Sequence, residues 1–210
     1  MLLTQNRADR VLLHHLTWQQ FETLLTCLGD QRNRRIAYDA GTVEIMTPLP
    51  EHEYFKQSIS IAIEDIAETL DYNYESYGSA TWRKPLAQAG LEADNCFYFQ
   101  NEHLIRGKLD FDLSQDPPPD LALEIDLTSK SLARFPIYAR LNVPEIWCYE
   151  AGELRIYILQ AGQYQEVEIS PTFSQLKIRE LPQLIETHRM QGRRALRQAV
   201  RDWTRAQIQP

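Results

Sequence analysis

Glu124 and Asp126 are separated by one residue inside Leu121-Ala122-Leu123-Glu124-Ile125-Asp126-Leu127, a run that is otherwise apolar. If the run is a strand, side chains two apart share a face, so both carboxylates project together from a segment that belongs in a core. Two like charges at that distance destabilise each other unless a cation offsets them. Asp94 interrupts a second strand-like segment, Leu91 to Phe99. Two acidic strands converging with an acidic helix would form an oxygen cage for a hard divalent ion, Mg²⁺ or Mn²⁺. Such an ion can activate a water and steady a phosphate under attack. The bland alternative is an ion-pair network in which arginines neutralise the same carboxylates.

The elements that must position these acids follow from periodicity. Thr17 reads as the N-cap of a helix carrying Trp18, Phe21, Leu24, Leu25 and Leu28, with Gly29 as its stop. The runs 35–39 and 42–47 flank Ala40-Gly41 and read as a hairpin. Pro48-Leu49-Pro50 ends the pairing, and a second helix is expected from about Glu51 to Leu70, with Phe55, Ile59, Ile63, Ile66 and Leu70 buried. Strand-like runs cover 72–77 and 80–85. The polar stretch 101–119, ending in three prolines, reads as a surface connection. Ser129 is the expected cap of a third helix reaching Leu141, delayed or kinked by Pro136. The runs 145–149, 154–159 and 164–169 read as an antiparallel meander, and a last helix is expected over 184–208.

This order is a mixed α/β architecture rather than a regular βαβ series, and no Gly-rich phosphate loop is present. The length of 210 residues suits one domain over 1–210. No apolar run approaches the roughly 18 residues of a membrane span, and Met1 to Leu16 is too charged for a secretory signal. Cys27, Cys96 and Cys148 form no CxxC pair and fit buried thiols in a reducing, cytoplasmic setting.

Charge complicates any nucleic-acid reading. The net charge is −7, whereas affinity for DNA comes largely from cations. Cations are nevertheless concentrated at one end. Arg193, Arg197, Arg201 and Arg205 recur every four residues on one helix face, with Arg189 extending the row and Arg194 beside it. Such a stripe can follow a phosphate backbone. It can equally be a solvated face or an arm against a second subunit, giving a homodimer.

Four phrases carry a family resemblance. They are Met46-Thr47-Pro48-Leu49-Pro50-Glu51-His52, Gly90-Leu91-Glu92-Ala93-Asp94, Pro119 through Ser129, and Tyr138-Ala139-Arg140-Leu141-Asn142-Val143-Pro144-Glu145-Ile146-Trp147. In this order, over roughly 30–160, the chain resembles the restriction-endonuclease-like proteins within the PD-(D/E)XK nuclease superfamily. The resemblance implies a central mixed sheet flanked by helices, an antiparallel extension and a C-terminal helix. It also implies Mg²⁺- or Mn²⁺-dependent hydrolysis of phosphodiester bonds in DNA.

Carried over by position, Asp94 and Glu124 match the two catalytic acids and would be metal ligands, with Asp126 assisting. Two departures stand out. Ala93 replaces proline before Asp94, and Asp126 occupies the place of the signature lysine. Lys130 is the expected substitute, with Lys84 in reserve. His52 is characteristic of the site region, and Glu44 and Glu53 are weaker third carboxylates. Pro119-Asp120 mimics the first motif, but Asp120 would share a strand with Glu124, whereas the core needs its acids on neighbouring strands. The absent lysine keeps open a catalytically impaired module that binds DNA or a protein partner.

Overall fold

The computed structural model describes residues 10–29, 34–126 and 133–208, with Asp126 through its backbone alone. The chain opens with β1 (Arg10–Leu13), α1 (Trp18–Leu28), β2 (Arg35–Asp39), β3 (Thr42–Met46) and α2 (Pro50–Thr69). Next come β4 (Glu75–Ser76), β5 (Thr81–Lys84), β6 (Ala89–Glu92), β7 (Asn95–Tyr98), α3 (Glu102–Ile105) and β8 (Leu121–Asp126). It continues through α4 (Phe135–Leu141), β9 (Glu145–Glu150), β10 (Glu153–Gln160), β11 (Gln163–Val167), α5 (Leu181–His188) and α6 (Arg193–Ile208). One sheet has the order β1-β3-β2-β6-β5, and the other β11-β10-β9-β8-β7-β4. Only β8 and β9 pair in parallel among these strands, because α4 carries the chain back between them.

Local chemistry explains the first elements. Thr17 and Gln20 form a reciprocal capping box, and Gly29 closes α1 with a φ of 67°. Ala40 and Gly41 both have positive φ, which lets the two-residue turn match the twist of β2 and β3. Pro50 starts α2, where a missing N–H does no harm.

Alternation along β8 sorts the core. Leu121, Leu123 and Ile125 face α2, meeting Phe55, Ile59, Ile63 and Ile66, with α5 and α6 completing that layer. Ala122 faces the opposite way, toward α4 and the first sheet. On the far side of that sheet, α1 buries Phe21 and Leu25 against Ile36, Tyr38 and Val43. Glu124 has the parity of Ala122, so its carboxylate enters the space between the two sheets.

Several expectations need correction. The run 91–99 is two strands in different sheets, and Asp94 is at the corner between them. Asn95 helps to fix the corner: its side chain accepts from the Cys96 N–H and donates to Ser60 on α2. The stretch 101–119 is more than a surface connection, since α3 buries Glu102 and Ile105. β1 was not legible at all. The run 72–77 shrinks to β4. The long C-terminal helix is broken at Gly192, whose φ of 86° separates α5 from α6. Cys27 is exposed, although Cys96 and Cys148 are buried. Pro136 lies in the first turn of α4, and the expected cap Ser129 lies outside the described residues. Among the described residues no helix is long and apolar enough to cross a membrane.

Candidate active site

β7 and β8 pair with Asn95 opposite Leu123, so the antiparallel register sets Asp94 opposite Glu124. The two acids therefore lie on neighbouring chain segments, as the sequence phrases imply. Beyond the end of β7, the Ile125 N–H would lack a partner. It donates to Asp94 Oδ2 at 2.7 Å, while the Asp94 N–H donates to the Leu123 carbonyl at 3.1 Å. Asp94 thus holds the strand corner as well as a position in the site. Asp94 and Glu124 are each only 1% exposed.

Burial of these acids demands counter-charge, and cations surround them. His52, near the start of α2, brings Nε2 to 3.1 Å from Asp94 Oδ2, and Arg35 from β2 brings Nε to 3.4 Å from Oδ1. The Arg134 Nη1 donates to Glu124 Oε2 at 2.7 Å, and its Nη2 is 3.8 Å from Glu44 Oε1. The Tyr138 hydroxyl donates to the other oxygen of Glu124. Glu53 faces His52 at 3.5 Å, Arg35 at 3.7 Å and Lys56 at 3.0 Å.

These neighbours set the protonation states. Burial by itself would lower His52, but Asp94 and Glu53 outweigh it and raise its pKa from 6.5 to about 9. Burial would raise Asp94, yet His52, Arg35 and Arg134 hold it down to about 2. The His52–Asp94 contact is an ion pair with imperfect alignment, because neither ring nitrogen forms a well-directed hydrogen bond. Close contact between His52 and Asp94 and the surrounding charges of Glu53, Arg35 and Arg134 push both shifts in these directions. At neutral pH His52 is a cation and Asp94 an anion, so His52 cannot serve as a general base in this state.

The structure brings together Asp94, Glu124, His52, Glu44 and Glu53. It does not bring Lys84, which pairs with Ala89 at the end of β5 opposite the Thr81–Glu92 end. Lys130 and the side chain of Asp126 lie outside the described residues. Asp120 is structural: its carboxylate accepts from the backbone N–H groups of Phe99 and Asn101 and from the Asn101 amide. Sequence reasoning missed Arg35, Arg134 and Tyr138. The four-residue spacing of Arg134 and Tyr138, which puts them on one helix face, was the available signal.

The described residues do not fit the expected Mg²⁺ or Mn²⁺ while Arg134 and Tyr138 hold Glu124. Among the described residues no three or more His, Cys, Asp or Glu side chains converge as a cation site. Both Glu124 oxygens are engaged by Arg134 and Tyr138. Asp94 Oδ1 is a buried acceptor without a formed hydrogen bond, but it faces the Arg35 guanidinium. The guanidinium groups of Arg35 and Arg134 face these acids as their counter-charges.

The basic row also takes a specific position. Arg197 and Arg201 both donate to Asp65 of α2, which is fully buried, and the pairing raises the Arg197 pKa. Arg193 donates to Ser58 and lies over the Tyr54 ring. Arg193, Arg197 and Arg201 are therefore turned toward α2 and anchor the C-terminal helix within the chain, whereas Arg205 pairs with Asp202 on its own helix.

A cleft of mixed charge adjoins the acids. It has a volume of about 620 Å³ and is lined by Arg34, Arg35 and Lys56 with Glu53 and Glu92, together with Thr47 and Thr81. Arg35 and Glu53 connect it directly to Asp94 and His52.

Fold and site define an α/β protein of the restriction-endonuclease-like class. A crystal structure from Anabaena variabilis, described as a "putative nuclease belonging to DUF820", superposes with a TM-score of 0.56 at 13% identity, covering 80% of this chain and 98% of that one. At that identity the likeness is one of fold. No curated protein matches the chain. The family Uma2, described as "putative restriction endonuclease", matches residues 18–190, and the chain belongs to it.

Proposed function

We propose that the chain is an endonuclease that hydrolyses phosphodiester bonds in DNA at the cleft lined by Arg34, Arg35 and Lys56, with Asp94, His52 and Glu124 buried behind it. The observation that supports this most is the placement of Asp94 opposite Glu124, one layer behind a cleft lined by Arg34, Arg35 and Lys56. Arg34, Arg35 and Lys56 in this lining would neutralise backbone phosphates despite the acidic net charge of the chain. His52 in its charged form keeps Asp94 ionised and in place. In this reading the cleft, rather than the arginines of α6, receives the nucleic acid, because Arg197 and Arg201 already meet Asp65.

A second reading, a catalytically impaired module that binds DNA or a protein partner, is favoured by one observation. Both oxygens of Glu124 are held by Arg134 and Tyr138, and Asp126 occupies the position of the signature lysine. Supercoiled plasmid incubated with the full chain in Mg²⁺, Mn²⁺ or EDTA separates the two. Nicking that E124A abolishes supports the endonuclease, and the EDTA arm reads its metal requirement. K56E should weaken DNA binding and reduce the salt slope by about one. Binding without nicking moves the assignment to the second reading. Neither binding nor nicking, on single-stranded or branched substrates as well, rejects the nucleic-acid assignment.

A further inference from the structure

Neither strand pairing nor helix capping requires the side chain of Arg134 to be where it is. The residue immediately precedes α4, is 5% exposed, and carries a guanidinium into a space walled by carboxylates. One nitrogen holds Glu124 at 2.7 Å and another faces Glu44 at 3.8 Å. Its Nε is buried without an acceptor, so the group is not positioned by a full set of hydrogen bonds. The attraction of the carboxylates is what retains it. A buried guanidinium cannot neutralise itself by losing its proton. It must therefore either keep its carboxylates or move away as a cation.

We propose that Arg134 is the resident counter-cation of Glu124 and competes with a divalent ion for that carboxylate, so that displacing Arg134 sets the metal affinity of this site. The same charge cannot be neutralised twice: a cation arriving at Glu124 with Arg134 in place would meet two donors on its oxygens and a fixed positive charge 2.7 Å away. Tyr138, fully buried, completes the occupation of Glu124 from one turn further along the same helix face. Arg134 is thus a positioning residue, acting through Glu124. The inference rests on Asp94 and Glu124 being the working acids, but its test does not use cleavage.

The experiment is calorimetric titration of Mn²⁺ into the full-length wild type, R134Q and the double variant R134Q/E124Q, with folding checked by circular dichroism. R134Q is expected to bind Mn²⁺ about tenfold more tightly than wild type, and E124Q in the same chain should remove that gain. Folded R134Q that binds no more tightly than wild type overturns the proposal, as does a gain that survives E124Q. If R134Q fails to fold, R134K gives the same reading with the buried charge retained: lysine lacks the fork that reaches both Glu124 and Glu44, so affinity should rise by a few-fold. Unchanged or weaker affinity in R134K overturns the competition. Tighter binding without any nicking would reject the endonuclease and leave this inference standing; nicking without the gain would do the reverse.

Discussion

Replacing His52 by glutamine should change how stability depends on pH, and the structure supplies the size of the effect. His52 is 4% exposed, 3.1 Å from one carboxylate and 3.5 Å from another. Its rise from 6.5 to about 9 corresponds to about 3 kcal/mol. The fall of Asp94 from 3.8 to about 2 corresponds to about 2 kcal/mol. These are one attraction seen from its two ends and do not add. The larger figure includes Glu53, whose side chain is 40% exposed and screened by water, so the smaller describes the buried pair better. Because the folded pKa is raised, the contribution is complete below pH 6.5 and is lost as pH rises through about 9. Asp94 acts at the other extreme: its contribution holds above 3.8 and is lost as pH falls through about 2.

Urea unfolding of wild type and H52Q at about pH 6, about pH 7.5 and about pH 9.5 isolates the term, since other titrating groups cancel in the difference. Wild type should exceed H52Q by about 2 kcal/mol more at the acidic end than at the alkaline end. Parallel stability curves for the two proteins across this range would refute the charged-pair assignment.

Asp65 accepts from two guanidinium groups while fully buried, so D65A should destabilise the chain by about 2 kcal/mol, less than the roughly 3 to 5 kcal/mol for a broken buried pair, because Arg197 and Arg201 are partly hydrated. The urea midpoint should fall, and limited proteolysis should become faster around Gly192, where α6 begins; an unchanged midpoint argues against the anchor. A Cβ at Gly90 would stand 3.2 Å from the Phe21 ring, which packs α1 onto the first sheet. G90A should therefore lower stability by about 1 to 3 kcal/mol, with F21L in the same chain restoring part of the loss in thermal unfolding.

Most elements were legible because their signals are local. The Thr17 N-cap, the Ala40-Gly41 turn, the break at Pro48-Leu49-Pro50 before α2 and the alternation in β8 depend on neighbours within a few residues. The misses have local causes too. The run 91–99 carries hydrophobic residues on both sides of Asp94 because both of its halves are buried, and periodicity cannot show that a buried strand changes sheets. The last helix keeps its amphipathic spacing across Gly192, where only a positive φ reveals the break.

The sequence by itself determined the layered α/β class, the facing of Glu124 away from Leu123 and Ile125, and the identity of the two acids as the residues needing explanation. These follow from period, parity and the expense of burying charge. What met those acids was decided by tertiary structure. Arg35 is 59 positions before Asp94, and Arg134 reaches Glu124 only because α4 folds back over β8. The same holds for the basic row: four-residue spacing placed the arginines on one face, but the packing of α6 against α2 assigned Arg197 and Arg201 to Asp65. Spacing fixes which side chains travel together; the partner of a charge is fixed by whichever opposite charge the fold brings within a few ångströms.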